Sequence, residues 1–400
     1  MMLRKTVAVA TVAVLSALVN FANAQDVIKI GDVNSYKSQP QHLEHYKKGI
    51  ELALDEINKA GGVNGKKLVV ITRDDNGNPG DAVRAAEELI SGEKVDALSG
   101  TFLSSTALAL NDFAKQKKFF FLATMSLSDK MIWQNGNRYS FRLRSGTYTQ
   151  TAMLVAEAAK LKKKRWAILY PNYEFGQSAA AAFKQMLKAV QPDVEFVAEQ
   201  APPLGKLEGG SVVQALADAK PDAIFNVVFG ADLIRFVRAA KTRGLFEGRD
   251  VVSLVTGEPE NLEPLKDDTP NGWIVTGYPW IDVKTPAHEV FFKAYQAKFK
   301  DYPRISSVWG YSMVKSIAEG MKKAKSTETE KLVAAFSGLQ VDMPFGRITY
   351  RAEDHQSTVG SFVGRTRNVN GTGVLVDAKY IDGMHYQPSM EEVKKMRPAD

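Results

Sequence analysis

Short apolar runs alternate with amphipathic segments along almost the whole chain. The first run, Val27 to Gly31, precedes a segment with apolar residues at helical spacing, which Gly61 and Gly62 end. An apolar run at Lys67 to Thr72 and a helix capped by Asp81 continue the alternation. Strands and helices in strict alternation predict a doubly wound parallel sheet, an α/β fold.

The same alternation begins again with a helix at about Thr149. The predicted strands that follow are Trp166 to Tyr170, Val194 to Ala198, Ala223 to Val228 and Val251 to Val255. The helices between them are Gly176 to Val190, Val212 to Ala219 and Asp232 to Arg243. The pattern repeats in architecture and not in sequence, so it predicts a second α/β lobe.

Two amphipathic helices, Ala287 to Phe299 and Ser307 to Ala324, follow the second lobe. Thr327 and Glu330 form a capping-box pattern for one more helix. The residues from Gly346 onward, rich in Val, Thr, Tyr and Gly, predict β-strands and turns.

The stretch from Val95 to Asp129 contains the first candidate site. An apolar strand, a turn at Gly100 and a hydroxyl cluster at the start of a helix precede a second strand, Phe119 to Leu122. The first turn of a helix leaves backbone N–H groups without partners and carries partial positive charge, so it can bind a carboxylate. The members of the hydroxyl cluster are Ser104, Ser105 and Thr106. Taken alone, this stretch favours the simpler role, in which Ser104 or Ser105 caps the helix, as Ser often does.

The first residues, Met1 to Ala24, have the pattern of a cleaved signal peptide. Arg4 and Lys5 precede an apolar run, and the segment ends in an A-x-A cleavage pattern at Ala24. We therefore expect export to the periplasm, without a lipid anchor because the chain contains no Cys. No later stretch reaches the roughly 20 apolar residues of a membrane-spanning helix.

The charge pattern gives no indication of nucleic-acid binding. The formal net charge is +7, but the basic residues are spread along the chain and are not interleaved with aromatic residues. The sequence also lacks a G-x-S-x-G nucleophile motif, and Gly61 to Lys67 lies after a helix, the reverse of a phosphate-binding loop. His42 and His45 are spaced to share a metal, but no third ligand is nearby. The sequence thus predicts neither an enzyme nor a cofactor.

Three segments carry a resemblance to a known family. They are GIELALDEINKAGGVNGKKLVVITRDD from Gly49 to Asp75, the turn from Gly100 to Thr106, and Gly257-Glu258-Pro259. Together they resemble the branched-chain amino acid (Leu/Ile/Val) binding proteins of ABC transporters, within the type I periplasmic binding proteins. The resemblance extends from Val27 to about Arg365. It implies two α/β lobes, a hinge of three crossing segments and a ligand held between the lobes.

The resemblance also implies how a ligand is held. Ser104 corresponds to the hydroxyl that binds the ligand carboxylate, assisted by backbone groups at Ser105 and Thr106. Backbone groups at Met125 and Leu127, with the Ser126 hydroxyl between them, fall near the same carboxylate and the amino group. Glu258 falls where a family carboxylate meets the ligand ammonium, although a Gly-Glu-Pro turn can also be solvated.

Some positions depart from the family pattern. His42 aligns near a family Tyr, and Phe175 and Phe229 stand where the Leu/Ile/Val binders have tyrosines. The pocket thus loses hydroxyl groups and gains apolar surface. Three further aromatic residues can either line the cleft or pack elsewhere: Tyr148, Tyr173 and Trp280.

The implied function is capture of a small amino acid, branched-chain, apolar or aromatic, and its delivery to permease and ATPase subunits. A different carboxylate or an amide as ligand, or a sensor that signals to a membrane receptor, remains open. We expect a monomer whose first lobe comprises residues 25–145 and 282–352. The second lobe comprises residues 146–281 and 353–400.

Overall fold

The computed structural model describes residues 27–398, so the predicted signal peptide lies outside the described residues. The chain forms two α/β lobes, each built around one sheet, with a separate two-stranded sheet beside the first lobe. Within residues 27–398 no helix is both long enough and apolar enough to cross a membrane.

The first lobe is built on five parallel strands. These strands are β1 (Val27–Asn34), β2 (Lys67–Asp74), β3 (Ala97–Gly100), β4 (Phe121–Ala123) and β5 (Ser140–Arg142). The helices that connect them are α1 (Pro40–Lys59), α2 (Pro79–Glu88) and α3 (Ser104–Lys117). The sheet order is β2-β1-β3-β4-β5. The alternation of apolar runs and amphipathic helices therefore predicted this lobe correctly.

The second lobe follows in chain order. Its elements are α4 (Thr147–Ala158), β6 (Arg165–Leu169), α5 (Glu174–Val190), β7 (Glu195–Gln200), α6 (Gly209–Asp218), β8 (Ala223–Asn226), α7 (Gly230–Thr242), β9 (Asp250–Gly257), α8 (Pro259–Leu262) and β10 (Ile274–Gly277). Its parallel strands have the order β7-β6-β8-β9-β10, the same order as in the first lobe. In such sheets ligands bind at the carboxyl ends of the strands, where the strand order reverses. The two lobes therefore each offer one binding edge.

The remaining elements complete both lobes. They are α9 (Pro286–Phe299), α10 (Ile305–Ala324), α11 (Thr329–Phe336), β11 (Gln340–Met343), β12 (Gly346–Thr349), β13 (Ser361–Val369), β14 (Thr372–Ile381) and α12 (Met390–Met396). Strands β13 and β14 join the second sheet in antiparallel orientation next to β10. Within the described residues the chain passes between the two lobes after β5, after β10 and after β12, and once more before α12.

Helices α1 and α10 pack closely in the first lobe. A Cβ atom at Gly49 would lie 2.0 Å from the Ser307 carbonyl oxygen, and one at Gly310 would lie 2.1 Å from the Tyr46 carbonyl oxygen. The absence of a side chain at both positions lets the two helix backbones approach each other. Buried apolar side chains of both helices, including Ile50, then enter the core of this lobe.

The final helix returns to the first lobe. Val393 packs with Ile132 and Trp133 in the core beside α2 and α3. Arg397 donates hydrogen bonds to the carbonyl oxygens of Ile132 (2.7 Å) and Asn137 (2.9 Å). The boundary predicted from the sequence assigns residues 353–400 as a whole to the second lobe. In the structure, β13 and β14 belong to the second sheet and α12 lies on the first lobe.

Several local predictions were wrong. Asn78, and not Asp81, caps α2, because its side chain accepts hydrogen bonds from the Gly80 and Asp81 amides. Helix α11 begins at Thr329 after Glu328, so the expected capping box at Thr327 does not form. The short strands β5 and β10 and the helix α12 were not predicted.

Candidate functional site

A cavity lies between the carboxyl ends of the two sheets. The space between its walls is about 350 Å³, a volume that includes solvent at the open side. Residues of both lobes form its wall: His42, Phe102, Ser104, Met125, Leu127, Arg144, Tyr173, Phe175, Phe229, Val255, Glu258 and Asn261. The cavity is therefore at the position that the strand order predicts for a ligand.

The first lobe contributes a helix N-terminus to this wall. Ser104 is the first residue of α3, and extended Leu103 precedes it without a side-chain cap. The first intrahelical hydrogen bond runs from the Ala107 amide to the Leu103 carbonyl, so the three amides before Ala107 precede that bond. These amides and the Ser104 hydroxyl are donors of the kind that can bind a small anion.

Only one of the three residues in the hydroxyl cluster lines the cavity. Ser104 lines the cavity, whereas Ser105 and Thr106 are not among the lining residues. Thr106 donates its hydroxyl hydrogen to the Leu103 carbonyl at 3.0 Å, so its side chain supports the helix start. Ser104 does not cap α3, because it is the first residue inside the helix and Leu103 occupies the cap position.

Aromatic rings form a continuous wall across the two lobes. His42 and Phe102 of the first lobe are 4.8 Å apart between ring centroids, and Phe102 meets Phe229 of the second lobe edge to face at 6.0 Å. Phe229 meets Phe175 at 5.8 Å, and Phe175 is 6.1 Å from Tyr173. We call these five rings the aromatic wall. Such a wall provides a large apolar contact for a flat ligand.

An ion pair of Arg144 and Glu258 forms the polar part of the cavity. Arg144 comes from the first crossing segment, and its guanidinium donates to the Glu258 carboxylate. Both side chains are buried. Burial raises the pKa of Glu258, and the Arg144 charge opposes that rise. The Nε group of Arg144 is buried and has no hydrogen-bond partner among the residues that the structure describes.

His42 enters the cavity as a neutral group. Burial, reinforced by the charges of Arg144 and His45, lowers the pKa of His42 to about 3. Within the described part of the chain, no group of three or more His, Asp and Glu residues is arranged to hold a metal ion. The imidazole is thus an uncharged part of the aromatic wall.

The second lobe supports its side of the cavity through the end of β9 and the turn that follows it. Val255 has a φ of +59°, a conformation that β-branched residues rarely adopt. Hydrogen bonds fix its backbone on both sides. The Val255 amide donates to the Thr276 hydroxyl at 2.9 Å, and the Val255 carbonyl accepts from the Asn261 side chain at 3.0 Å. Asn261 also accepts from the Gly230 amide at the start of α7. These bonds fix the backbone that leads to Glu258.

Two acidic residues of the second lobe accept hydrogen bonds from the first lobe beside the cavity. Glu260 accepts from the Ser306 amide at the start of α10 (2.8 Å), and Glu263 accepts from the Arg304 guanidinium (3.0 Å). Both carboxylates lie at the N-terminus of α10, where the helix dipole favours negative charge. Together with the Phe102–Phe229 contact they hold the lobes in a closed arrangement.

Because Glu260 is buried, we expect the free energy of unfolding of the protein to depend on pH. Burial, and then the nearby Glu258 charge, raise the pKa of Glu260 to about 7 from 4.5. A raised folded-state pKa gives stability that is complete below pH 4.5 and is lost as the pH rises through about 7. The Gln side chain of Glu260→Gln does not titrate. The free energy of unfolding of this variant, relative to that of wild type, is therefore expected to rise by about 3 kcal/mol from pH 4.5 to pH 8.5.

Urea unfolding of both proteins across this pH range measures the gain. A constant difference between Glu260→Gln and wild type at every pH would contradict the prediction.

The cavity brings together most of the residues predicted from the sequence. Seven line it: His42, Ser104, Met125, Leu127, Phe175, Phe229 and Glu258. Three do not: Ser105, Thr106 and Ser126. Of the three uncertain aromatic residues, Tyr173 lines the cavity, Tyr148 packs edge to face on Trp133, and Trp280 stacks on Tyr302.

Sequence reasoning missed four lining residues: Phe102, Arg144, Val255 and Asn261. Phe102 lies inside the turn that the sequence singled out, so its position was an available signal. Arg144 follows a strand of three residues that was not recognised, and nothing in its sequence neighbourhood marks it.

The fold and the cleft define a two-lobed binding protein. The model of the periplasmic binding protein family matches residues 27–371, and the chain belongs to that family. The family recognised from the sequence is thereby confirmed. It is a family of binding proteins and not of enzymes.

Curated relatives are similar over most of their length. Leu/Ile/Val-binding protein homolog 7 of Brucella suis biovar 1 (strain 1330) is 26% identical over 348 residues, which cover 82% of this chain and 85% of the relative. Leu/Ile/Val-binding protein homolog 8 of Brucella abortus (strain 2308) is 25% identical over 321 residues, 76% of this chain and 77% of the relative.

Solved structures share the fold. A solute-binding protein of an ABC transporter from Rhodopseudomonas palustris BisB5, in complex with 3,4-dihydroxybenzoic acid, has a TM-score of 0.80 at 24% identity, covering 89% of this chain and 98% of that chain. The closed leucine-, isoleucine-, valine-, threonine- and alanine-binding protein of Brucella ovis has a TM-score of 0.79 at 18% identity, covering 91% and 97%.

Proposed function

We propose that this protein captures a small organic carboxylate with an apolar body in the inter-lobe cavity and delivers it to an ABC importer in the periplasm. The permease and the ATPase subunits are separate chains. The observation that carries the proposal is the uncapped N-terminus of α3, with Ser104, which lines the same cavity as the aromatic wall. An anion site and an apolar wall in one cavity match an amphipathic carboxylate.

The carboxylate is the group that α3 recognises. Backbone amides at a helix start and a hydroxyl donor form charge-assisted hydrogen bonds with an anion. These bonds are stronger than in water because most side chains that line the cavity are buried. Ser104 is 1% exposed, so solvent competes little with a bound carboxylate for its hydroxyl.

Capture follows from closure of the two lobes. The carboxylate docks on the first lobe, and the second lobe brings Phe175, Phe229 and Glu258 over it. A ligand that touches both lobes favours the closed state by its differential affinity for that state. The permease then receives the closed form, whose surface includes the junction of Glu263 with Arg304.

Two ligand classes share this chemistry. Relatives carry names of Leu/Ile/Val-binding proteins, and a structure with the same fold was solved with 3,4-dihydroxybenzoic acid. For an α-amino acid, the sequence resemblance assigns the ammonium to Glu258. An aromatic carboxylate needs only the α3 site and the aromatic wall.

Calorimetric titration of residues 25–400, refolded to remove any bound ligand, tests the proposal. The panel contains leucine, phenylalanine, benzoate and the uncharged analogues leucinamide and benzamide. At least one carboxylate is expected to bind, and its amide is expected to bind at least about tenfold more weakly.

Ser104→Ala is expected to weaken that binding by about 10-fold to 100-fold, the value of one hydrogen bond to a charged group. Ser105→Ala, which changes the neighbouring hydroxyl outside the cavity wall, serves as the matched control and is expected to bind as wild type does. Absence of binding across the panel, or equal effects of the two substitutions, would contradict the proposal.

A further inference from the structure

We propose that the cavity selects carboxylates that lack an ammonium group, with an aromatic monocarboxylate as the preferred class. The inference rests on the proposed function and deepens it, because it divides the two ligand classes that the α3 site accepts. It departs from the role that the sequence resemblance implies for Glu258. The observation behind it is the buried ion pair of Arg144 and Glu258.

Glu258 already has a cationic partner. Its carboxylate accepts from Arg144, and both side chains are at most 6% exposed. A ligand ammonium on the same carboxylate would place two cations side by side in a site with little water to screen them. The carboxylate of an α-amino acid would be bound at α3, so its ammonium would meet a Glu258 carboxylate that Arg144 already neutralises.

Arg144 is held in this position by the crossing segment after β12 and by α10. Its carbonyl oxygen accepts from the Gln356 side chain at 3.1 Å. Its guanidinium carbon lies 5.7 Å from the centroid of the Trp309 ring, within the range of a cation–π contact. These contacts keep the guanidinium at the cavity, so it does not leave Glu258 to an incoming ammonium.

The described cavity wall offers no other anion for an ammonium. Glu258 is the one acidic residue among the lining residues, and His42 is neutral. The donors at the start of α3 belong to a different element from the ion pair. The cavity thus has donors for an anion at α3 and at the unpartnered Arg144 Nε, and its described wall has no unpaired carboxylate for a cation.

The aromatic wall favours a flat ring as the body of the ligand. Edge-to-face contacts join Phe102, Phe229 and Phe175 from one lobe to the other. A planar ring can continue such a chain of contacts, whereas a branched aliphatic chain cannot form the same ring–ring geometry. A carboxylate joined to an aromatic ring therefore satisfies both parts of the cavity.

Matched ligand pairs test this inference by calorimetry. L-Phenylalanine and 3-phenylpropionate differ only in the ammonium group, as do L-leucine and 4-methylpentanoate. The wild-type protein is expected to bind the member without the ammonium at least about tenfold more tightly in each pair, and 3-phenylpropionate more tightly than 4-methylpentanoate. Benzoate tests the ring without a linker.

Two variants test the role of Arg144. Arg144→Met frees Glu258, so the affinity ratio of L-phenylalanine to 3-phenylpropionate is expected to rise at least about tenfold. The double variant Arg144→Met with Glu258→Gln has no buried charge at this site and is expected to show no such gain. Because the double variant buries no unpaired charge, it is expected to fold even if the single variant is unstable.

The outcomes separate the inference from the proposed function. Tighter binding of L-phenylalanine or L-leucine than of its partner by the wild type contradicts the inference and leaves the proposed function in place. The same ligand preference in Arg144→Met as in wild type also contradicts it. Absence of binding for both members of every pair contradicts the proposed function itself.

Discussion

Replacing Arg142 by Met is expected to lower the free energy of unfolding by about 3–5 kcal/mol, the cost of leaving a buried charge without its partner. Arg142 is 1% exposed and donates to Asp129 at 2.9 Å and to Gln356. Asp129 in turn accepts from the Tyr148 amide at 2.6 Å. These bonds join the end of β5 to the start of α4, where the chain first passes between the lobes.

Urea unfolding of Arg142→Met and wild type measures this loss. Arg347→Met is the matched control, because Arg347 also pairs with a carboxylate but both side chains are more than half exposed. We expect the control to change stability by less than about 1 kcal/mol. Adding Asp129→Asn to Arg142→Met is expected to restore part of the loss, because it removes the orphaned carboxylate charge. Equal losses for Arg142→Met and Arg347→Met would contradict the prediction.

The second large effect is expected at the contact of α1 and α10. In Gly310→Val, the new Cβ would lie 2.1 Å from the Tyr46 carbonyl oxygen, and this obstacle is backbone that cannot rotate away. The helices must separate, so we expect a loss of about 3 kcal/mol, at the upper end of the cost of overpacking. Gly49→Val, on the opposite helix, is expected to have the same effect.

Thermal and urea unfolding measure these two variants. Gly92→Ala is the control, since a Cβ at Gly92 would have no atom within 4 Å, and we expect its stability to match or slightly exceed that of wild type. A melting temperature of Gly310→Val close to that of wild type would show that the helices can move apart without cost, contrary to the prediction.

The fold could be predicted from the sequence because each element carries its own periodicity. Strands and helices of both lobes have apolar residues at the spacing their structure requires, and Gly49 and the residues after it form a recognisable family segment. Strand β5 was missed because polar Ser140 and Arg142 leave it a single apolar residue. Strand β10 was missed because its apolar run is only Ile274 and Val275, followed by a threonine and a glycine.

The site could be predicted in part. Ser104 and Glu258 were found because the segments that contain them resemble the family, and both line the cavity. The partner of Glu258 could not be found in this way, because Arg144 is 114 residues away in sequence and the pair forms only through tertiary contacts. Local sequence specifies a side chain and its element, whereas the charge it meets depends on how distant segments pack.

The return of α12 to the first lobe determines how lobe movement can be observed. A fluorophore fused after the last helix would move with the first lobe, although the two strands before that helix belong to the second sheet. Because the chain has no cysteine, one introduced at exposed Val190 in α5 would carry a single acceptor dye on the second lobe. Energy transfer to that dye would follow opening and closing, and a dye at exposed Val290 in α9 would give the constant reference signal.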